Sequence, residues 1–146
     1  MPLLEAMDLH CRVYVAGPIS GGGDISWNID QAIVAGQRLW EAGFVPFIPH
    51  LDARWQYLFP KGRREWLSYD RHWLALCDVL LRLPGASPGS DQEVAWAEQL
   101  SLPVYYDIDQ LIAVESTAER GTLGTHDLEV SPQITDDDSL PSSMEK

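Results

Sequence analysis

The chain has only two cysteines, Cys11 and Cys77, and both sit in apolar surroundings. They read as reduced, buried thiols of a cytoplasmic protein rather than as a disulfide or a metal site. No run approaches the roughly 18 apolar residues that a membrane span needs. The N-terminal stretch MPLLEAMDLHCRVYV lacks the basic segment and small-residue cleavage site of a signal peptide. Positive charge is scarce as well, with 10 Lys and Arg against 22 Asp and Glu. Residues 1–114 carry 8 basic and 14 acidic side chains, for −6; residues 115–146 carry 2 and 8, for another −6 over a far shorter stretch. Such a surface repels a long polyanion, so no nucleic acid polymer is expected as a partner. A small anion is still admissible, because backbone N–H groups at a helix start hold a phosphate locally.

What is present is a regular alternation of strand-like and helix-like segments over residues 12–112. Arg12–Ala16 (RVYVA) is β-rich and runs into the glycine loop GPISGGG. From Trp27 to Ala42 the apolar residues Ile29, Ala32, Ile33, Gly36, Leu39 and Trp40 recur at helical spacing, and Gly43 follows as a stop. Phe44–Ile48 is a second strand, closed by Pro49-His50. Residues 51–65 are aromatic and basic without a clean period, which predicts a loop or short helical turns over the site. Trp66–Cys77 reads as helix and Asp78–Leu83 as the third strand. After the loop PGASPGS come a helix over Asp91–Leu100, a fourth strand over Pro103–Tyr106, and a last helical turn or two over Asp109–Val114. Strands separated by helices imply right-handed crossovers and a parallel sheet. The expected architecture is a Rossmann-like (flavodoxin-like) α/β domain of four to five strands over residues 1–114. Residues 115–146 lack aromatics and sustained period, and predict a disordered acidic tail.

In open parallel sheets, ligands bind at the carboxyl ends of the strands where the chain order reverses. Four polar segments should converge there: the loop Gly17–Gly23, Pro49-His50, the helix start near Asp70, and the loop Gly85–Ser90 with its following helix. The glycine loop fits neither G-x-x-x-x-G-K-[ST] nor G-x-G-x-x-G, and His50 stands where a ribose-binding acid would be expected, so triphosphatase and NAD-binding roles are disfavoured. Ser90-Asp91-Gln92-Glu93 has the form of a capping box. Its rival reading is a carboxylate in the first helical turn, kept ionised by the positive helix end and able to attack an anomeric carbon. Asp70 divides in the same way between a helix-start charge and a site residue. Asp78, at a helix C-terminus, reads as structural, bonded to backbone amides where helix passes into strand. Tyr14 and His50 are core residues with a satisfied polar tip or pocket residues.

Taken in order, these residues resemble the nucleoside 2-deoxyribosyltransferases and their relatives, the 2′-deoxynucleoside 5′-monophosphate N-glycosidases. The resemblance rests on Tyr14-Val-Ala-Gly17-Pro-Ile-Ser20-Gly-Gly, Pro49-His50, Asp70-x-x-Trp73-Leu74-x-x-x-Asp78-Val-Leu, and Ser87-x-Gly89-x-x-x-Glu93-x-x-x-Ala97, over about residues 12–106. It implies a glycosidic-bond enzyme of nucleotide metabolism, built as a homodimer or higher homo-oligomer. It implies Glu93 as nucleophile, Asp70 as the acid that helps protonate the departing base, and Tyr14 and His50 lining the sugar and base pocket. It further implies that Gly17, Ser20 and Gly21, with Ser87 and Gly89, form the loops that hold the 5′ end. Ser87 stands where the transferases tend to carry an Asp, which points to a 5′-monophosphate and to a hydrolase. Base exchange by a transferase is the alternative, and a nucleotide sensor without turnover is a second. The glycine loop departs from these hydrolases in having Pro18 and Ser20 where they carry Ser and Arg. Arg54, Arg63 and Arg64 are therefore candidates for the missing positive charge. No cofactor is implied, and no metal-ligand cluster is visible in the sequence.

Overall fold

The computed structural model describes residues 10–21 and 23–118. Its elements run β1 Arg12–Ala16, α1 Ile25–Glu41, β2 Val45–Phe47, a 3₁₀ turn Pro49–Asp52, α2 Ala53–Leu58, α3 Arg63–Leu74, β3 Val79–Arg82, α4 Pro88–Gln99, β4 Val104–Tyr105 and α5 Ile108–Glu115. The four strands form one parallel sheet in the order β2-β1-β3-β4. Side chains alternate across each strand, and this divides the core. Val13 and Val15 of β1 pack with Ala32, Ala35 and Leu39 of α1 and Leu111 of α5 on one face. Tyr14 and Ala16 pack with Leu74 of α3, Leu80 of β3 and Ala97 of α4 on the other. The expected α/β architecture is the one observed, with four strands among the described residues.

Capping sets the helix ends. Asp24 accepts from the Ser26 amide at 2.8 Å, so α1 starts two residues before the expected Trp27. Gly43, at φ +91, takes the left-handed conformation just past the helix, as its position predicts. Pro46 is tolerated within β2 because β2 is an edge strand. Asp78 accepts from the Arg12 amide at 2.8 Å and joins β1 to the turn before β3, which is the structural role expected of it.

Two expectations about helix starts need correction. α3 runs over Arg63–Leu74 rather than Trp66–Cys77, so Asp70 lies deep in the helix and is no helix-start charge. α4 begins at Pro88, not Asp91. Proline is favoured at the first helical position, and Ser87 caps the helix by accepting from the Ser90 amide at 3.2 Å. Glu93 therefore sits in the second turn, and Ser90-x-x-Glu93 is not a capping box. Most of the expected acidic tail, residues 119–146, lies outside the described residues. Its first residue, Glu115, closes α5 and accepts a 2.7 Å hydrogen bond from the Tyr105 hydroxyl.

Both cysteines are free and buried. Among the described residues, no helix is long and apolar enough to cross a membrane.

Candidate active site

β1-α1-β2 turns one way along the sheet, and the chain then crosses to β3 on the other side of β1. The carboxyl ends of β1 and β3 thus mark the point where strand order reverses, and Gly17 and Leu83 follow directly from them. A cleft of about 660 Å³ opens there, on the α3 and α4 side of the sheet. It is walled by the glycine loop, the 3₁₀ turn, α2 and the first turns of α3 and α4. Of the residues singled out from the sequence, Gly17, Ser20, Gly21, Pro49, Arg63, Asp70, Ser87, Gly89 and Glu93 line it. Tyr14 and His50 are 0% and 2% exposed and belong to the protein interior rather than to the cleft wall.

Burial governs the chemistry of this cleft. Glu93 is 8% exposed and Asp70 9%. Four buried side-chain atoms among the described residues lack a hydrogen-bond partner: Tyr14 Oη, His50 Nδ1, Asp70 Oδ1 and Glu93 Oε2. Unsatisfied buried groups are costly, so native proteins hold few of them away from functional sites. Desolvation pushes Glu93 up to about 7; the Tyr14 hydroxyl opposes the rise, Asp70 adds to it, and Arg82 opposes it. Asp70 is likewise pushed up to about 7 by burial, with the charge of Asp52 adding to the rise. Tyr14 is raised well above its ordinary value by burial and by both carboxyls, which keeps its hydroxyl a proton donor. Tyr14 Oη and Glu93 act on each other at close range without a well-formed hydrogen bond.

An ionised Glu93 held by the helix end was one of two readings of the sequence, the capping box being the other. Burial works against that charge state, because removal from water outweighs the lowering by the Tyr14 hydroxyl and Arg82. With both carboxyls raised to about 7, each is part-protonated at neutral pH. The cleft can therefore present a carboxylate and a carboxylic acid together.

The remaining candidates have more local roles. His50 is lowered by burial and lies 3.1 Å through Nε2 from the Pro18 carbonyl. Its neutral ring donates from Nε2, which leaves Nδ1 as an acceptor. The Ser87 hydroxyl caps α4 and contacts Ser90 Oγ at 2.9 Å, so it is already engaged in the fold. Asn28 of α1 donates to the Ile19 carbonyl at 2.9 Å and ties down the glycine loop. Gly85, at φ +113, brings the next loop against Pro18, where a Cβ would stand 2.8 Å from Cγ.

Sequence reasoning missed Arg82, Asp52 and Lys61. Arg82 ends β3, is 8% exposed, and lies beside Ala16 on the α4 face of the sheet. Its guanidinium donates to the Leu83 and Gly85 carbonyls and to Asp91 Oδ1, which fixes the loop leading to Glu93. The visible signal was a lone cation in the apolar strand VLLR. Asp52 follows Pro49-His50 directly and lines the cleft. Lys61 lines it too, whereas Arg54 and Arg64 do not. Among the described residues no group of His, Cys, Asp and Glu is placed to hold a metal ion.

No curated protein matches the chain in sequence. The solution structure of BlsM shares its fold, with a TM-score of 0.51 at 16% identity, covering 73% of this chain and 87% of that one. A 2-deoxyribosyltransferase from the psychrotolerant bacterium Bacillus psychrosaccharolyticus aligns with a TM-score of 0.47 at 18% identity, covering 82% of this chain and 91% of that one. Residues 11–107, which carry every strand and every residue of the cleft, match a family model described as a domain of unknown function, DUF7768, and the chain belongs to that family.

Proposed function

We propose that the chain hydrolyses the N-glycosidic bond of a (deoxy)nucleoside 5′-monophosphate, with Glu93 as nucleophile and Asp70 as the acid that protonates the departing base. The observation that carries this reading is the pair of buried carboxyls, both raised to about 7 and lining one cleft at the switch point of the sheet. Breaking such a bond builds positive charge on the sugar and negative charge on the base. A carboxylate answers the first and a carboxylic acid the second, and two carboxyls raised to about 7 can present both at neutral pH.

In the first step a Glu93 oxygen attacks C1′ and the C1′–N bond breaks. Its electron pair goes to the base, which takes the proton from Asp70. In the second step water attacks C1′, the bond to Glu93 breaks, and the proton lost by the water returns to Asp70. Tyr14 donates toward Glu93 and favours its ionised form before attack. Ser87, in place of a carboxylate, and the cationic Lys61 and Arg63 in the cleft wall support a phosphorylated substrate over a free nucleoside.

The test is a panel of nucleosides and 5′-monophosphates, including modified pyrimidines, assayed for free base. Wild type should release base from a monophosphate and Glu93→Ala should not. Binding without base release from any member would refute the reading. Adding a second free base separates hydrolysis from exchange, since only a transferase forms the new nucleotide.

A further inference from the structure

The cleft is electrostatically polarised along the helices that wall it. Leu67, one turn into α3, lies 3.8 Å from where a Cβ on Gly89 would stand, so the first turns of α3 and α4 run side by side. Their positive helix ends therefore meet at one rim. The carboxyls lie farther in: at 1.5 Å per residue, Asp70 is roughly 10 Å along α3 from Arg63, and Glu93 roughly 8 Å along α4 from Pro88.

Lys61 occupies that rim in a constrained position. Its ammonium lies 4.5 Å from the Trp55 ring centroid and 5.3 Å from that of Trp66. It donates to the Phe59 carbonyl at 3.0 Å, while the Lys61 amide donates to Gln56 Oε1 at 2.8 Å. Gln56 Oε1 also accepts from the Trp66 indole, which braces the ring that holds the lysine. An ammonium has three donors, and one is used. The ion pairs found among the described residues are Arg12–Asp78, Arg38–Asp109 and Arg82–Asp91, so neither Lys61 nor Arg63 is neutralised by a carboxylate. Arg54 is spent elsewhere, over the Tyr57 ring at 5.2 Å.

We propose that Lys61, held against the rings of Trp55 and Trp66 and supported by Arg63, is an anion subsite that takes the phosphate of the substrate and so fixes which end of the nucleotide faces the carboxyls. This inference rests on the glycosidic-bond reading above. It places the phosphate at the outer rim and C1′ at the inner end, the one orientation that keeps the phosphate away from Asp70 and Glu93. The two indoles contribute by fixing the ammonium at the rim through cation–π contact, so less side-chain freedom is lost when an anion binds.

The experiment compares a deoxynucleoside 5′-monophosphate with its unphosphorylated nucleoside in wild type, Lys61→Met and Lys61→Arg. Methionine keeps the apolar contact with the rings, and arginine restores the charge. Lys61→Met should raise KM for the monophosphate roughly ten- to a hundredfold, the range of one lost charged hydrogen bond, with little change in kcat. Kinetics on the nucleoside should not move, and Lys61→Arg should recover most of the loss. Inorganic phosphate should inhibit wild type competitively and Lys61→Met far more weakly. An equal KM rise for both substrates would make Lys61 a mere brace for the aromatic wall and overturn the proposal, as would an unchanged KM. If wild type releases base from nothing, the catalytic reading fails. Equilibrium binding of the monophosphate by wild type and Lys61→Met then decides the subsite separately.

Discussion

Glu93→Gln keeps the size of the side chain and removes its charge, and its effect on stability can be worked from the structure. Burial moves the Glu93 carboxyl from 4.5 to about 7. At about 1.36 kcal/mol per pH unit, ionising it inside the folded protein costs about 3 kcal/mol more than ionising it in the unfolded chain. The folded value is the higher one, so the folded state binds the proton more tightly. Stability is therefore greatest below the unfolded value and is lost as pH rises through the folded value. Glutamine removes that loss but brings amide hydrogens that need acceptors, a cost of about 1 kcal/mol. The net gain near pH 8 is about 2 kcal/mol, or roughly 10 °C in Tm for a domain of this size. Near pH 5 most of the gain should vanish. Thermal unfolding of both proteins across this pH range tests the reasoning, with loss of base release as the accompanying cost. A variant that melts at or below wild type near pH 8, or a difference indifferent to pH, would show that the Glu93 charge is satisfied by the fold.

The pH profile carries further expectations. The proposed mechanism needs Glu93 ionised and Asp70 protonated, so activity should fall on both sides of about pH 7. Asp52→Asn removes a charge that raises Asp70, so the alkaline limb should move to lower pH; an unmoved limb would deny the coupling. Tyr14→Phe removes the hydroxyl that favours an ionised Glu93, so the acidic limb should move to higher pH. Gly85→Ala should destabilise the protein by about 1–3 kcal/mol, because alanine at φ +113 is strained and its Cβ would press on Pro18; denaturant unfolding reads the loss.

The parallel α/β architecture and the approximate place of α1, α3, α4 and α5 were legible because each rests on a repeating pattern. RVYVA and DVLLRL are too apolar to be anything but buried strands, and the helical spacing through Ile29, Ala32, Gly36 and Leu39 marks one face of α1. Helix starts were read less well, since a cap is a competition between neighbouring residues. Ser90-x-x-Glu93 satisfies the capping-box pattern, yet Ser87-Pro88 offers both a cap and a preferred first residue three positions earlier. The earlier start wins, and Glu93 moves from the first turn to the second. Arg82 and Lys61 escaped for another reason. Nothing local says that Arg82 faces α4, or that Gln56 and two indoles hold Lys61 at the rim.

The sign of the Glu93 shift shows why a site of this kind resists local reading. A carboxylate near a helix start gains about 0.3–1 kcal/mol from the helix dipole, and that term is visible in the sequence. Desolvation acts in the opposite direction with about 3 kcal/mol and arises from the packing of β1, β3, α3 and α4 around the residue. The larger effect is the one that exists only in the folded protein, so the local argument predicts a permanently ionised carboxylate where the fold supplies one that holds a proton for part of the time. That difference bears on mechanism. An ionised Glu93 beside an ionised Asp70 would have no proton for the departing base, and a fully protonated pair would have no nucleophile. Burial raises both carboxyls to about 7, so the proposed mechanism draws on the form in which Asp70 holds the proton and Glu93 does not, the one state with both functions at once.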